Sequence, residues 1–192
     1  LPLVIVGTVV VMFIFMGQLL LRSGGSDWFT SLASALMGRS RGGSAKVAIV
    51  ASALFGSISG NAVSNVASTG VLTIPLMTRA GFKPRVAAAF EAVASTGGQV
   101  TPPSMSAAGF LIAEFLRIPY SEVLLAALVP ALLYYVSTFL QADLEAALRD
   151  IPPLPRDQIP SIGKVLREGW FFTLPFIVLI VALFPLNRSP EG

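Results

Sequence analysis

Residues 56–70 of the chain read GSISGNAVSNVASTG, in the middle of an uncharged stretch that runs from residue 47 to residue 78. As one straight helix, these 32 residues would be about 48 Å long. The apolar core of a bilayer is only about 30 Å thick. Ten of the fifteen quoted residues are Gly, Ser, Asn or Thr, a composition unsuited to a helix that faces lipid.

Basic residues flank this stretch on both sides. Arg39, Arg41 and Lys46 precede it, and Arg79, Lys83 and Arg85 follow it. Because Lys and Arg concentrate on the cytoplasmic side of a membrane protein, both ends are predicted to lie on that side. The chain must then turn back within the membrane. We predict a re-entrant hairpin of two half-helices over residues 44–80, with its tip at residues 59–65.

A second interpretation of this stretch remains open. Gly56 and Gly60 form a GxxxG pattern, which is typical of close packing in a single tilted span. That interpretation accounts for the small residues, but it leaves Asn61 and Asn65 near the middle of the bilayer without a role.

Another interrupted segment follows at residues 84–117. Its middle reads STGGQVTPPSMS over residues 95–106, where paired Gly and paired Pro break a helix. We predict a discontinuous transmembrane helix whose second half begins at Met105, a simple proline kink being the alternative. The carbonyls of residues 97–101 should lose their helical partners and point elsewhere.

Three apolar stretches predict ordinary transmembrane helices, over residues 1–22, 120–149 and 169–187. Ser121 is expected to cap the second of them. Together with the two interrupted segments, they predict an all-α polytopic membrane protein.

Two further segments suit the membrane interface. Residues 26–41 are predicted to form an interfacial helix, or else a plain loop. The side chains that support the helix, at helical spacing, are Trp28, Phe29, Leu32 and Leu36. Residues 150–168 are predicted to be a Pro-rich cytoplasmic connector that ends in a short interfacial helix. That helix would carry Ile162, Val165 and Leu166 on its apolar face.

The composition supports a membrane protein and excludes several functions. Of the 192 residues, 54% are hydrophobic and 12% charged, and the mean hydropathy is +0.78. The absence of Cys and His removes thiol and imidazole catalysis and the usual zinc sites. We therefore expect no enzyme, since only Ser57 or Ser59 with Lys46 offers a nucleophile and a base. The basic residues lie at the ends of apolar runs, which predicts no nucleic-acid partner.

The two interrupted segments indicate a secondary transporter. A hairpin tip rich in Ser and Asn, beside a broken helix, offers uncharged oxygens for Na⁺. The positive ends of half-helices suit the carboxylate of an anionic substrate. A non-transporting membrane scaffold, in which the small residues serve packing alone, is the alternative from another class.

Glu91 lies two turns into the first half of the broken helix, about 10 Å along its axis. An acid at that depth is a functional candidate, either proton-linked or fixing a neighbouring backbone. Pairing with Arg85 or Lys83 is the structural alternative.

Two segments of the chain resemble a known family. They read FGSISGNAVSNVASTGVLTIPLMTRAGFKP over residues 55–84 and EAVASTGGQVTPPSMSAAGFLIAEFLRIPYSEV over residues 91–123. Both are similar to the large membrane subunit of tripartite ATP-independent periplasmic (TRAP) transporters, and within it to the fused permeases that work with TAXI-type binding proteins. The resemblance covers residues 41–149. It implies an elevator fold of the ion-transporter superfamily, of which this chain is similar to the first of two inverted repeats.

The resemblance also implies Na⁺-driven symport of small organic anions (carboxylates), with Na⁺ as the coupling ion and no cofactor. The Na⁺ site implied in this repeat uses Ser59, Asn61, Ser64, Asn65, Gly98, Thr101 and Pro102. Asn61 and Ser64 would also contact the substrate.

The partners implied by the resemblance are a TAXI-type periplasmic binding protein, a small membrane subunit that is separate or fused, and the second inverted repeat of the same chain. The implied location is the bilayer of the bacterial inner membrane, which the protein crosses several times. The nearest alternative is a dicarboxylate/Na⁺ elevator symporter that needs no binding protein.

Overall fold

The computed structural model describes residues 11–174 together with Gly7, Ile177, Val178 and Val181. Within that part of the chain the fold is helical throughout, without strands, which confirms the all-α class. The helices are α1 (Val11–Arg22), α2 (Gly25–Met37), α3 (Gly43–Ser59), α4 (Ala62–Arg79), α5 (Pro84–Gly97), α6 (Ala107–Leu116), α7 (Tyr120–Leu148) and α8 (Ile162–Gly169). The rest of the transmembrane helices predicted over residues 1–22 and 169–187 lies outside the described residues.

The uncharged stretch around residues 47–78 forms two helices, α3 and α4, rather than one. Gly60 follows α3 with a φ of 58°, in the left-handed region that favours glycine. Asn61 then caps α4, because its Oδ1 accepts a hydrogen bond from the Ser64 amide at 3.0 Å. The Gly-Asn pair therefore stops one helix and starts the next, and α4 folds back along α3. Its place in a bilayer, as a re-entrant hairpin, stays a prediction.

The second interrupted segment consists of α5, a 3₁₀ turn at Gly98–Val100, and α6. The Met105 start predicted for its second half is wrong. Met105 has a φ of 52° and lies outside the helix, and Ser106 caps α6 by accepting a hydrogen bond from the Ala108 amide. The stretch between the two halves is therefore longer than a kink at a single proline.

Helix α7 is, among the described residues, the one helix long and apolar enough to cross a bilayer unaided. It begins at Tyr120, directly after Pro119, so the cap predicted at Ser121 is wrong. The fixed φ of Pro119 suits the residue that precedes a helix, and Ser121 falls inside the first turn.

The helix predicted at the interface, α2, packs into the protein by its aromatic side chains. Trp28 and Phe29 are buried, and the Trp28 indole Nε1 donates a hydrogen bond to the Val165 carbonyl at 2.8 Å. Leu36, predicted to share the apolar spacing of this helix, is exposed. Both aromatic side chains are buried in a cluster that includes Val165 of α8.

The connector after α7 follows the protein surface and brings α8 back to α2. Ile151 and Leu154 are buried within it. The Leu154 amide donates to the Gly38 carbonyl at 2.9 Å. On α8, Val165 is buried, whereas Ile162 and Leu166 are largely exposed, so only part of the predicted apolar face is covered.

Candidate functional site

The hairpin and the broken helix meet backbone to backbone at two glycines. A Cβ built on Gly56 of α3 would lie 2.7 Å from the Gly98 Cα, closer than real side chains come. Gly98 begins the 3₁₀ turn that follows α5. Two of the predicted features, the small residues of α3 and the break after α5, therefore serve one close crossing.

Asn65 lies directly at this crossing and is fully buried. Its Nδ2 donates to the Ser52 carbonyl at 2.8 Å, and its Oδ1 lies 3.2 Å from the Thr69 hydroxyl oxygen. The same Nδ2 is 2.7 Å from the position of a Cβ on Gly56. The Asn65 amide thus joins α3 to α4 close to Gly98, another predicted ligand, since a Cβ on Gly98 would lie 3.4 Å from its Nδ2.

Four hydroxyl groups surround the Glu91 carboxylate, which is fully buried. Its Oε1 lies 2.9 Å from the Ser52 hydroxyl, 2.5 Å from that of Thr69 and 3.2 Å from that of Ser95. Its Oε2 lies 2.5 Å from the Thr73 hydroxyl. These donors come from α3, α4 and α5, so Glu91 ties together both half-helices of the hairpin and the first half of the broken helix.

The alternative partners considered for Glu91 are not the ones it has. Arg85 and Lys83 are both exposed, whereas Glu91 faces the interior between the three helices. The carboxylate is therefore held by uncharged donors within the bundle.

Ser104 connects the break to the end of α3 and was missed by the sequence analysis. Its hydroxyl donates to the Ser57 carbonyl at 2.6 Å and lies 2.9 Å from the Ile58 carbonyl. Its amide donates to Ser57 as well, at 3.1 Å. The last carbonyls of a helix have no helical donor, and Ser104 satisfies two of them.

The carbonyls of Gly97, Gly98 and Gln99 lose their regular α-helical donors, as predicted, and accept from other groups nearby. The Thr101 hydroxyl donates to the Gly97 carbonyl at 2.7 Å, and the Thr101 amide donates to that of Gly98 at 3.3 Å. The Gln99 carbonyl accepts from the Ser106 amide at 2.9 Å. These groups lose regular helical partners but find others nearby, because buried carbonyls rarely stay unpaired. Each keeps a second lone pair that a cation would use.

Two tyrosines of α7 hold the last turn of α5. The Tyr134 hydroxyl donates to the Val93 carbonyl at 2.7 Å, and the Tyr135 hydroxyl donates to the Ala94 carbonyl at 3.1 Å. Both rings fill the space beside Gly97, where a Cβ would lie within 2.8 Å of each. The pair therefore combines packing against Gly97 with hydrogen bonds that support the break.

The polar side chains at the hairpin tip differ in what they contact. The Ser59 hydroxyl is buried and, within the described part of the chain, has no hydrogen-bond partner. Ser59 packs against α1, since a Cβ on Gly17 would lie 3.4 Å from its Cβ. Asn61 is exposed and Ser64 half-buried. A buried hydroxyl without a partner is rare in proteins and marks a place where a ligand atom would be favourable.

The structure therefore brings only some of the predicted site residues together. Asn65 and Gly98 are brought together at the crossing, whereas Thr101 turns its hydroxyl to its own segment. Pro102 lies half-buried in the break, between Thr101 and the capping Ser104.

Lys46 is not placed to act as the base of a serine nucleophile. Its ammonium lies 2.5 Å from Asp143 Oδ1 on α7 and 5.0 Å from the centre of the Phe139 ring. Arg41 pairs with the other oxygen of the same carboxylate. Since Ser57 and Ser59 lie at the other end of α3, about 15–20 Å along the helix, the basic group and the hydroxyls are far apart.

Two interrupted helical segments that meet beside buried polar groups are typical of membrane transport proteins built from discontinuous helices. The chain belongs to one family of that class, the DctM component of the tripartite ATP-independent periplasmic transporters, whose sequence model matches residues 4–191. The family is one of transporter permeases and not of enzymes.

Three relatives are similar in sequence to most of this chain. It is 27% identical over 168 residues to the C4-dicarboxylate TRAP transporter large permease protein DctM of Pseudomonas aeruginosa, covering 87% of this chain and 39% of the relative. It is 25% identical over 168 residues to the 2,3-diketo-L-gulonate TRAP transporter large permease protein YiaN of Escherichia coli, with coverage of 87% and 39%. It is 30% identical over 183 residues to the uncharacterised protein y4mL of Sinorhizobium fredii, with coverage of 93% and 43%. The chain therefore spans about two fifths of the length of these relatives.

Proposed function

We propose that the chain is part of the permease of a Na⁺-coupled secondary transporter that imports small organic anions. The crossing of α3 with the break after α5 is the observation that carries this proposal. It brings Asn65 close to Gly98, near a tip where the Ser59 hydroxyl has no hydrogen-bond partner among the described residues. Na⁺ binds oxygen ligands, either uncharged or carboxylate. This region offers hydroxyl, amide and carbonyl oxygens.

An organic anion as the substrate is supported by the relatives and by the chemistry of the tip. The printed names of two relatives specify a C4-dicarboxylate and 2,3-diketo-L-gulonate, both organic acids. Asn61 and Ser64 stand at the start of α4, where backbone amides and the helix dipole favour a carboxylate. We therefore retain both residues as the proposed substrate contacts, with Ser59, Asn61, Ser64, Asn65, Gly98, Thr101 and Pro102 as the proposed Na⁺ site.

The proposed assembly follows the family. A periplasmic binding protein, of the TAXI type by the resemblance, delivers the anion, and a small membrane subunit accompanies the permease. A second inverted repeat of the same chain completes the cavity, and the whole acts as an elevator in the bacterial inner membrane.

The experiment that tests this proposal is uptake into proteoliposomes that hold the complete permease containing this chain, with its small subunit. A panel of labelled organic anions is supplied with or without the binding protein, and with an inward gradient of Na⁺ or of choline. The expected result is uptake that needs both Na⁺ and the binding protein. Uptake without the binding protein would favour the simpler dicarboxylate/Na⁺ symporter. An intact assembly that moves none of the anions would favour the scaffold.

A further inference from the structure

Glu91 is the one acidic side chain that is buried within the described part of the chain. None of the proposed Na⁺ ligands is an acid, so the proposed ion site does not include it. A carboxylate inside a membrane protein is costly unless other groups satisfy it, and residues that bear that cost are usually functional. The question is therefore what Glu91 does for a site that it does not touch.

The hydroxyls around Glu91 show a regular arrangement. Thr69 and Thr73 lie four residues apart on one face of α4, and Ser95 lies four residues after Glu91 on α5. Ser52 completes the set from α3, with its hydroxyl 2.9 Å from Oε1. Because each helix contributes at least one contact, the carboxylate fixes the spacing of all three helices at once.

A chain of contacts leads from this carboxylate to the proposed ion site. The Thr69 hydroxyl donates to Glu91 Oε1, 2.5 Å away, and its oxygen also lies 3.2 Å from Asn65 Oδ1, so Thr69 packs against both side chains. Asn65 in turn packs beside Gly56, where the hairpin crosses the broken helix. The Asn65 amide is therefore held by Ser52 and Thr69, and both of these residues contact Glu91.

We propose that Glu91 is a positioning residue that, through Thr69 and Asn65, holds the hairpin against the broken helix in the geometry that binds Na⁺. This inference rests on the proposed function, since it concerns the affinity of the proposed ion site. Glu91 itself contacts neither ion nor substrate. Groups that orient metal ligands from behind change metal affinity by about 10–100-fold when they are removed.

The test measures Na⁺ binding directly and needs no knowledge of the substrate. The complete permease with its small subunit is melted in detergent while NaCl replaces choline chloride at constant ionic strength. An ion that binds only the folded protein raises the melting temperature with its concentration, and the midpoint of that rise reports its affinity. The melting temperature in choline alone reports stability without the ion.

Three variants and one control separate positioning from simple stability. Glu91→Gln and Thr69→Val should each raise the Na⁺ midpoint about tenfold or more, and Thr69→Ser, which restores the hydroxyl, should return it close to the wild-type value. Glu122→Gln is the matched control, because Glu122 is exposed in the first turn of α7. It should leave the midpoint unchanged.

Each outcome has one meaning. A lower melting temperature in choline with an unchanged Na⁺ midpoint would overturn the inference and leave Glu91 a structural residue only. Uptake that loses its pH dependence in Glu91→Gln, at an unchanged Na⁺ midpoint, would overturn it in favour of proton transfer by Glu91. A wild-type permease without a Na⁺-specific rise would refute the proposed function and this inference with it. If Glu91→Gln does not fold, the Thr69→Val and Thr69→Ser pair decides.

Discussion

Gly56 and Gly98 approach so closely that neither position has room for a methyl group. A Cβ on Gly98 would lie 2.6 Å from the Gly56 Cα, and one on Gly56 would lie 2.7 Å from the Gly98 Cα. Both obstacles are backbone atoms, which cannot rotate away as the end of a side chain does. The contact between hairpin and broken helix therefore depends on both glycines.

The first prediction follows from this contact. Gly98→Ala should lower the free energy of unfolding by about 1–3 kcal/mol, because the added methyl group forces the two segments apart. Thermal melting of the complete permease measures the change. Gly163→Ala is the control, since nothing lies within 4 Å of a Cβ at that exposed position. Equal stability of Gly98→Ala and the wild type would show that the crossing is looser than described.

The second prediction concerns the serine that caps α3. Ser104→Ala should destabilise the protein by about 1–3 kcal/mol, because the Ser57 and Ile58 carbonyls lose the hydroxyl that contacts them in a buried place. Ser121→Ala serves as the control, because Ser121 does not cap α7 and should be close to neutral. The same effect in both variants would argue against the capping role of Ser104.

The third prediction tests the unpartnered hydroxyl at the hairpin tip. If Ser59 contributes a ligand, Ser59→Ala should raise the Na⁺ concentration that gives half-maximal uptake by about tenfold. Ser44 is a close control, since its hydroxyl is also buried without a partner but lies at the opposite end of α3. An equal Na⁺ dependence of Ser59→Ala and Ser44→Ala would remove Ser59 from the proposed site.

The fourth prediction concerns the ion pair between α3 and α7. Asp143→Asn should lower the melting temperature, because it removes the charge that faces the buried Lys46 ammonium. Replacing both partners, as Lys46→Met with Asp143→Asn, should restore part of that loss, since no charge then remains buried without a partner. Additive losses in the double variant would show that the two side chains act independently.

The fifth prediction is the topology of the hairpin. Arg39 and Lys83 are exposed at its two ends, and Arg117 is exposed after α6. Because the 192 residues contain no Cys, single-cysteine variants at these positions report their side of the membrane directly. Arg39→Cys and Lys83→Cys should react with an impermeant maleimide from the cytoplasmic side, and Arg117→Cys from the other side. Labelling of the first two from opposite sides would favour the single tilted span.

The sequence predicts the helical class and the general location of the two interruptions, because length, charge and Gly/Pro content act locally. The Gly60–Asn61 turn falls within the tip predicted at residues 59–65, and the non-helical residues after Val100 fall within the break predicted at residues 95–106. Local signals of this kind need no knowledge of what the segment packs against.

The contacts that build the candidate site depend on how three helices pack, and they are harder to predict. The cap that Ser104 gives to α3 joins residues 47 positions apart, which no local pattern indicates. One signal was present. Asn65, Thr69 and Thr73 recur every four residues and form a polar stripe on a helix that is otherwise rich in apolar residues. A stripe of that kind indicates a buried polar partner, here Glu91.

Helix α7 is attached to the rest of the fold at three heights, through Tyr120 near its start, Tyr135 in its middle and Asp143 near its end. Only the last of these contacts is with the hairpin, through Lys46, whereas the other two hold the break and α5. A displacement of the hairpin alone would therefore have to break this ion pair. A displacement of the hairpin together with the broken helix would have to break all three contacts or carry α7 along.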